Sequence, residues 1–583
     1  MSARRIKIVL LALYLLGGAA FGIGAVRQRA ALNLSATAGG QYPYLVYAQG
    51  IASEGVTRFV GDRNRMPAVP TIVSLVHDDD WQTFANRASL LSIALSLVVL
   101  AGVALIAHQV LRPFSAAAVT LSAAFGVFLD RASFVQAEPT FYGLLLLSWW
   151  LMIRHLRAPT LRRAAVCGAV LGATYLTKAS ALPLLPAFVI FAGAATLRTR
   201  SREPGKRLVP WATVATAVGM FVLITSPYLA ENHARFGRLF YNVNSTFFMW
   251  CDSWREASAF AEAHDIAIAY PDAPADEIPG PLNYWRSHTT SQIGARLSYG
   301  LGVLTRETFS KRFGVYLVCG GLVCGVAALG RGRRRIGRLL DSFNDRLIFI
   351  FCGAISLGYL ISYAWYVPIG YGDRFVQSLF MPAMCAMLFV MERLAGGRRV
   401  LGSWRLADGL GLALCCVVLV DGMVFAAPAA SRPPPHFLEY YYNESIERER
   451  VGDDVEARRG YAGVFQIDQT FIASMGRGAL ETDRFASAAE HFRRAVDLDP
   501  ENAILFNDLG SALVQSDRPV EAVAALKRAT TLDPDLAVAW FNLGGTLIGL
   551  ERATEAAAAI EHLSKLDPPL ARRLGDLMPA SPP

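Results

Sequence analysis

Carboxylates and cations at the ends of apolar runs are the residues of this chain best placed to do chemistry. Glu138 opens the run in FVQAEPTFYGLLLL, where a charge without a partner is costly. Its other use is as a carboxylate at a helix N-terminus, favoured by the helix dipole. Lys178, in GATYLTKASALPLLP, and Arg374, in YGDRFVQSLFMPAM, stand where apolar runs end. Cations at such edges either hold an anionic group such as a phosphate or lead their charge out to the interface along an aliphatic stem. Asp62, Arg63 and Arg65 lie together in one polar stretch, and Asp78-Asp79-Asp80 precedes Trp81. The aspartate run reads as a cap for a helix starting near Trp81. It also leaves a divalent cation open, although adjacent aspartates do not point the same way. Trp250, Trp254, Tyr284, Trp285, Arg286 and His288 share a later polar segment, where aromatics suit either stacking on a sugar ring or an interfacial belt.

The stretches between these residues are ones that a bilayer solvates best. The chain has 583 residues, 53% of them hydrophobic and 18% charged, with mean hydropathy +0.34; a soluble domain carries about 25% charged residues. After a basic start (Arg4, Arg5, Lys7) an apolar run extends to Val26 and reads as a retained anchor rather than a cleaved signal peptide. Ten more runs lie near 89–108, 114–130, 139–153, 163–179, 181–197, 208–228, 313–330, 346–366, 375–392 and 406–427. This predicts about eleven spans of a bilayer core about 30 Å thick. Every second linker is basic: Arg154 to Arg163, Arg198 to Arg207, Arg331 to Arg338, Arg393 to Arg405. That alternation puts the N-terminus in the cytoplasm and two long loops, 27–88 and 229–312, outside, together with the C-terminus. The net charge of +9 is thus spent on linkers, not on a nucleic-acid face. Of the eight cysteines only Cys251 falls in a polar loop; no metal-ligand spacing and no Gly-rich phosphate loop occurs, so neither a bound metal nor a soluble cofactor is expected.

Past a Pro-rich joint (Pro433-Pro434-Pro435) and a polar linker at 431–465, the segment 466–583 repeats every 34 residues. Asp499-Pro500, Asp533-Pro534 and Asp567-Pro568 recur at this period, as do Leu509-Gly510 and Leu543-Gly544, and Ala488, Ala522 and Ala556. Small residues where two helices cross, with Asp-Pro at the turn, resemble tetratricopeptide repeats, whose stacked units form an α-solenoid with a concave protein-binding groove.

Residues 1–430, the polytopic part, carry an ordered set of local patterns: Tyr44 and Ala48 in QYPYLVYAQGI, Asn86-Arg87, Glu138, Lys178, then Pro227, Asn232 and Gly237 around PYLAENHARFGRLFY, then Arg374 and Pro382. Over about 1–395 this order resembles the GT-C glycosyltransferase superfamily, in its bacterial branch akin to protein mannosyltransferases and aminoarabinose transferases. The resemblance implies a polyprenyl-phosphate sugar donor, an extracytoplasmic site and inverting transfer to a lipid, glycan or protein acceptor. Lys178 and Arg374 would hold the donor phosphate, and a carboxylate would take the acceptor proton. Family members carry an acid a few positions before the Tyr/Ala pair; this chain has Gly39-Gly40-Gln41 there. Glu138, then Asp62, are the substitutes, with Tyr44, Asp80, Asn232 and His288 as further substrate-side candidates.

The expectation is therefore an all-α protein of a bacterial inner membrane: a polytopic helical bundle followed by a repeat solenoid that recruits a protein partner. Two rivals stand beside the glycosyltransferase. One is an O-antigen ligase or polymerase using Arg286 and His288 of the large loop. The other is a catalytically silent membrane scaffold working through its repeats.

Overall fold

The computed structural model describes residues 3–32, 41–55, 65–202, 209–264, 266, 270–329, 343–370, 374–396, 398–401, 404–426, 476–477, 480 and 485–578. Asp62 and the linker 431–465 lie outside the described residues. The chain divides into two compact units, Met1–Ser431 and Arg432–Pro583, and both are built of helices.

In the first unit α1 (Ala3–Leu32) leads to two short helices of the first loop, α2 (Tyr42–Glu54) and α3 (Ala68–Ser74). Then come α4 (Trp81–Val110), α5 (Pro113–Ala123), α6 (Glu138–Arg157), α7 (Leu161–Thr177), α8 (Leu184–Arg202) and α9 (Val209–Phe236). The large loop holds α10 (Val243–Thr246), α11 (Trp254–His264) and α12 (Pro281–Ser287). Beyond it lie α13 (Thr290–Ser310), α14 (Arg312–Ala328), α15 (Phe343–Tyr366), α16 (Arg374–Ala395) and α17 (Leu406–Ala426). A small antiparallel ribbon, β1 (Arg399–Leu401) with β2 (Trp404–Arg405), joins the last two.

Each of the eleven apolar runs coincides with a helix. Seven of these (α1, α4, α8, α9, α15, α16, α17) are long and apolar enough to cross a membrane. The pair α13 and α14 passes the same measure together but is bent by 82°, where Lys311 takes an extended backbone. The other three runs, α5, α6 and α7, fall short of it. With the turn that follows it, α5 is apolar but short (Pro113–Phe128), and it is buried over most of its length. Gly411 of α17 lets it approach, since a Cβ there would stand 2.9 Å from the Ser115 backbone nitrogen. Close approach through small residues is the usual solution where lipid removes the hydrophobic drive between helices. The same device seats α7 on α9 at Gly168 and α13 on α15 at Gly300, whose added Cβ atoms would reach the carbonyls of Ala217 and Ala364 at 2.0 and 1.9 Å. Between α5 and α6 the chain makes a π-helical turn, Ala124–Phe128, a feature common near functional sites.

In the second unit α18 (Phe485–Leu498), α19 (Ala503–Gln515), α20 (Pro519–Leu532), α21 (Ala537–Gly549), α22 (Ala553–Leu566) and α23 (Pro568–Gly575) follow one another. The starts of α18, α20 and α22, and those of α19 and α21, are spaced by the sequence period. Ala488, Ala522 and Ala556 are fully buried at the crossings, and Gly510 gives Leu526 its place. The Asp567 carboxylate caps α23 by accepting from the Leu570 amide at 3.0 Å.

Candidate active site

Three helix ends meet in the first unit. Pro139 fixes the first turn of α6, so the chain enters that helix at Glu138. α7 ends where Lys178 turns extended and passes into the tight turn before α8. α16 begins at Arg374. Lys178 Nζ donates to Glu138 Oε1 at 2.9 Å, and the Glu138 side chain is 7% exposed. Arg374 and Arg131 lie near enough for their charges to act on Glu138.

The wall is built by hydrogen bonds from these same elements. Arg131 Nε donates to Gln377 Oε1 at 2.9 Å, and the Tyr142 hydroxyl donates to the Arg374 carbonyl at 2.6 Å. Tyr363 stacks on Phe375 with ring centroids 5.1 Å apart, and Lys178 Nζ sits 5.6 Å from the Phe141 ring centre. From the first loop, the Arg65 guanidinium lies over the Tyr44 ring at 5.5 Å. Arg65 and Arg374 both act on Tyr44 and on Tyr366. Among the described residues neither arginine has a carboxylate within ion-pair distance, and Arg65 Nε is buried without a partner. Three cations thus act on Glu138, with Arg65 beside Tyr44 at their margin, an arrangement suited to an anionic ligand.

A second network ties the large loop to the C-terminal end of α15. Arg296 of α13 is buried and donates to the carbonyls of Trp365 (3.0 Å) and Met249 (3.2 Å), to Asp252 Oδ1 (3.0 Å) and to the Tyr284 hydroxyl (3.0 Å). Tyr284 in turn donates to Asp252 Oδ1 at 2.7 Å. His288 Nε2 faces Asp252 Oδ2 at 2.8 Å, and its Nδ1 faces the Tyr284 carbonyl at 2.9 Å. Trp365 belongs to this clamp, while its neighbour Tyr366 borders the ionic cluster and donates to Asn244 Oδ1 at 2.8 Å. The end of α15 therefore touches both.

Residues 474–537 match the tetratricopeptide repeat family. No curated protein matches the chain. Among solved structures, the TPR domain of Arabidopsis OM64 is similar to 18% of this chain over 91% of its own length, at 21% identity and a TM-score of 0.18. MamA from Desulfovibrio magneticus RS-1 is similar to 25% of this chain over 85% of its own, at 18% identity and a TM-score of 0.18. The apo oligosaccharyltransferase of Archaeoglobus fulgidus is similar to 74% of this chain over 58% of its own, at 12% identity and a TM-score of 0.36.

Of the residues singled out in the sequence, Glu138, Lys178, Arg374 and Tyr44 come together. Asp80 does not join them: its Oδ2 accepts from the Thr83 amide at 2.8 Å and caps α4, while Asp78 pairs with Arg87 at 2.9 Å. Asn232 is buried at the end of α9 and donates to the Leu239 and Tyr241 carbonyls, which holds the turn into the large loop. His288 belongs to the Arg296 clamp. Among the described residues no three His, Cys, Asp or Glu side chains are grouped to hold a metal ion. Arg131, Gln377 and Tyr142 were not foreseen as site residues; Gln377 carried a signal, standing one helical turn after Arg374. Gln41 is buried and accepts from the Val135 amide at 3.2 Å, tying the first loop to the segment that carries Glu138.

Proposed function

We propose that this protein is a membrane glycosyltransferase that moves a sugar from a polyprenyl-phosphate donor to a lipid, glycan or protein acceptor on the outer face of a bacterial inner membrane. The observation that carries the reading is the meeting of Glu138, Lys178 and Arg374 from three helix ends, with Arg131 and Arg65 beside them. A phosphate whose lipid tail stays in the bilayer needs cations at the membrane edge, and Arg374 and Arg65 have no described carboxylate to satisfy them. Lys178, oriented by Glu138, adds a third charge. The acceptor hydroxyl attacks the anomeric carbon as the bond from that carbon to the phosphate oxygen breaks. The phosphate leaves with the electron pair, and the hydroxyl proton passes to the Glu138 carboxylate. The repeat unit, outside the membrane with the C-terminus, recruits a protein partner through its concave face.

The ligase reading needs a histidine open to substrate, and both ring nitrogens of His288 are engaged by Asp252 and Tyr284. The scaffold reading drew on the missing first-loop acid, and Glu138 offers a carboxylate in hydrogen-bond contact with Lys178. The test is mass analysis of cell-surface glycans from cells with and without this protein. A glycan or glycolipid short of one sugar residue is expected in its absence; identical profiles contradict the proposal.

A further inference from the structure

We propose that α12 is a membrane foot: Leu282 and Trp285 insert into the boundary between headgroups and acyl chains of the leaflet at the C-terminal end of α15. Both side chains are exposed, Leu282 by 70% and Trp285 by 56%, and their three-residue spacing puts them on one side of the helix. On a loop helix of seven residues these two groups form an exposed apolar face.

The position of α12 names what covers this face. The Trp285 ring lies nearly parallel to Trp365, at an interplanar angle of 15° with centroids 6.3 Å apart. Trp365 is the penultimate residue of the apolar span Arg346–Tyr366. Along α15, Ile350, Leu357 and Ile361 are exposed and follow one another at seven and four residues, a single stripe facing lipid; Trp365 is the next position of that stripe. Trp285 covers Trp365 and so continues the lipid-facing surface from the span onto the loop helix. Tryptophan is favoured at this depth, where its ring is apolar and its N–H can meet water. Arg286, exposed on the same helix, supplies a cation for lipid phosphates. The Arg296 clamp fixes the foot from behind through Tyr284. A sugar-stacking platform would expose the same ring, but Leu282 beside it offers nothing to a carbohydrate.

The experiment uses the full chain in vesicles of phosphatidylcholine brominated near the glycerol end of its acyl chains. Bromine quenches tryptophan emission only on contact. The emission lost on Trp285→Phe is expected to be the bromine-quenched part, so that the variant shows less quenching than the wild type. Leu282→Trp in the Trp285→Phe background is expected to restore the quenching, which also controls for folding. Quenching unchanged by Trp285→Phe, or not restored by Leu282→Trp, overturns the proposal, as does protection of the Trp285 emission by a soluble oligosaccharide.

Discussion

Lys178 and Arg374 border the same carboxylate but differ in what their loss should do. Lys178 is the hydrogen-bonded partner of a nearly buried Glu138. Lys178→Met strands that charge and is expected to cost about 3–5 kcal/mol of stability, seen as a lowered unfolding temperature of the detergent-solubilised protein. Arg374 is exposed at the head of α16, so Arg374→Ala should leave the unfolding temperature nearly unchanged. It should instead weaken polyprenyl-phosphate binding by about 1.5–3 kcal/mol, the worth of a charge-assisted hydrogen bond; titration of the purified protein with that lipid measures it. Asp80→Ala removes a helix cap and is expected to lower the unfolding temperature slightly with transfer intact, because Asp80 faces α4 and not the cluster. Glu138 was legible because a carboxylate heading an apolar run asks for a partner. The identity of that partner was not legible, since Lys178 lies 40 residues away on another helix. Asp80 and Asn232 show the converse: a polar residue at the right place in a motif also serves a cap or a turn, and only packing decides which.

Among the helices, hydropathy located every apolar run because apolar length is written residue by residue. It could not tell a lipid-facing helix from one surrounded by protein, and α5 is the second kind. Nor did it show the π turn at Ala124–Phe128 or the 82° bend at Lys311, both settled by neighbours rather than by local composition. Contacts at glycine make the packing testable. Gly300→Ala drives a Cβ into the Ala364 carbonyl and is expected to destabilise by about 1–3 kcal/mol, whereas Gly302→Ala, with open space around it, should be neutral. The loop clamp carries a pH prediction. Burial alone would raise the Asp252 carboxyl, but hydrogen bonds from Tyr284 and His288 and the charge of Arg296 outweigh it and hold it below its ordinary range. The stabilisation is therefore complete above about pH 4 and fades as acid protonates the carboxyl. Asp252→Asn should abolish the acid-induced change in near-ultraviolet circular dichroism from the clamp aromatics.

For the molecule as a whole, two kinds of periodicity were readable at a distance. The alternation of basic linkers carries an expected direction of threading, and the 34-residue period of the C-terminal segment returned as helix starts at the same spacing. What a sequence cannot hold is the joining of distant ends. Glu138, Lys178, Arg131, Arg374 and Arg65 come from four stretches of chain, and their meeting is a property of the bundle. The cleanest challenge to the mechanism is surface-glycan mass analysis in cells whose only copy carries Glu138→Gln at wild-type abundance in the membrane. The account predicts loss of the transferred sugar, with a rate down about 10²–10⁴-fold as for removal of a general base. A glycan profile indistinguishable from wild type would contradict it.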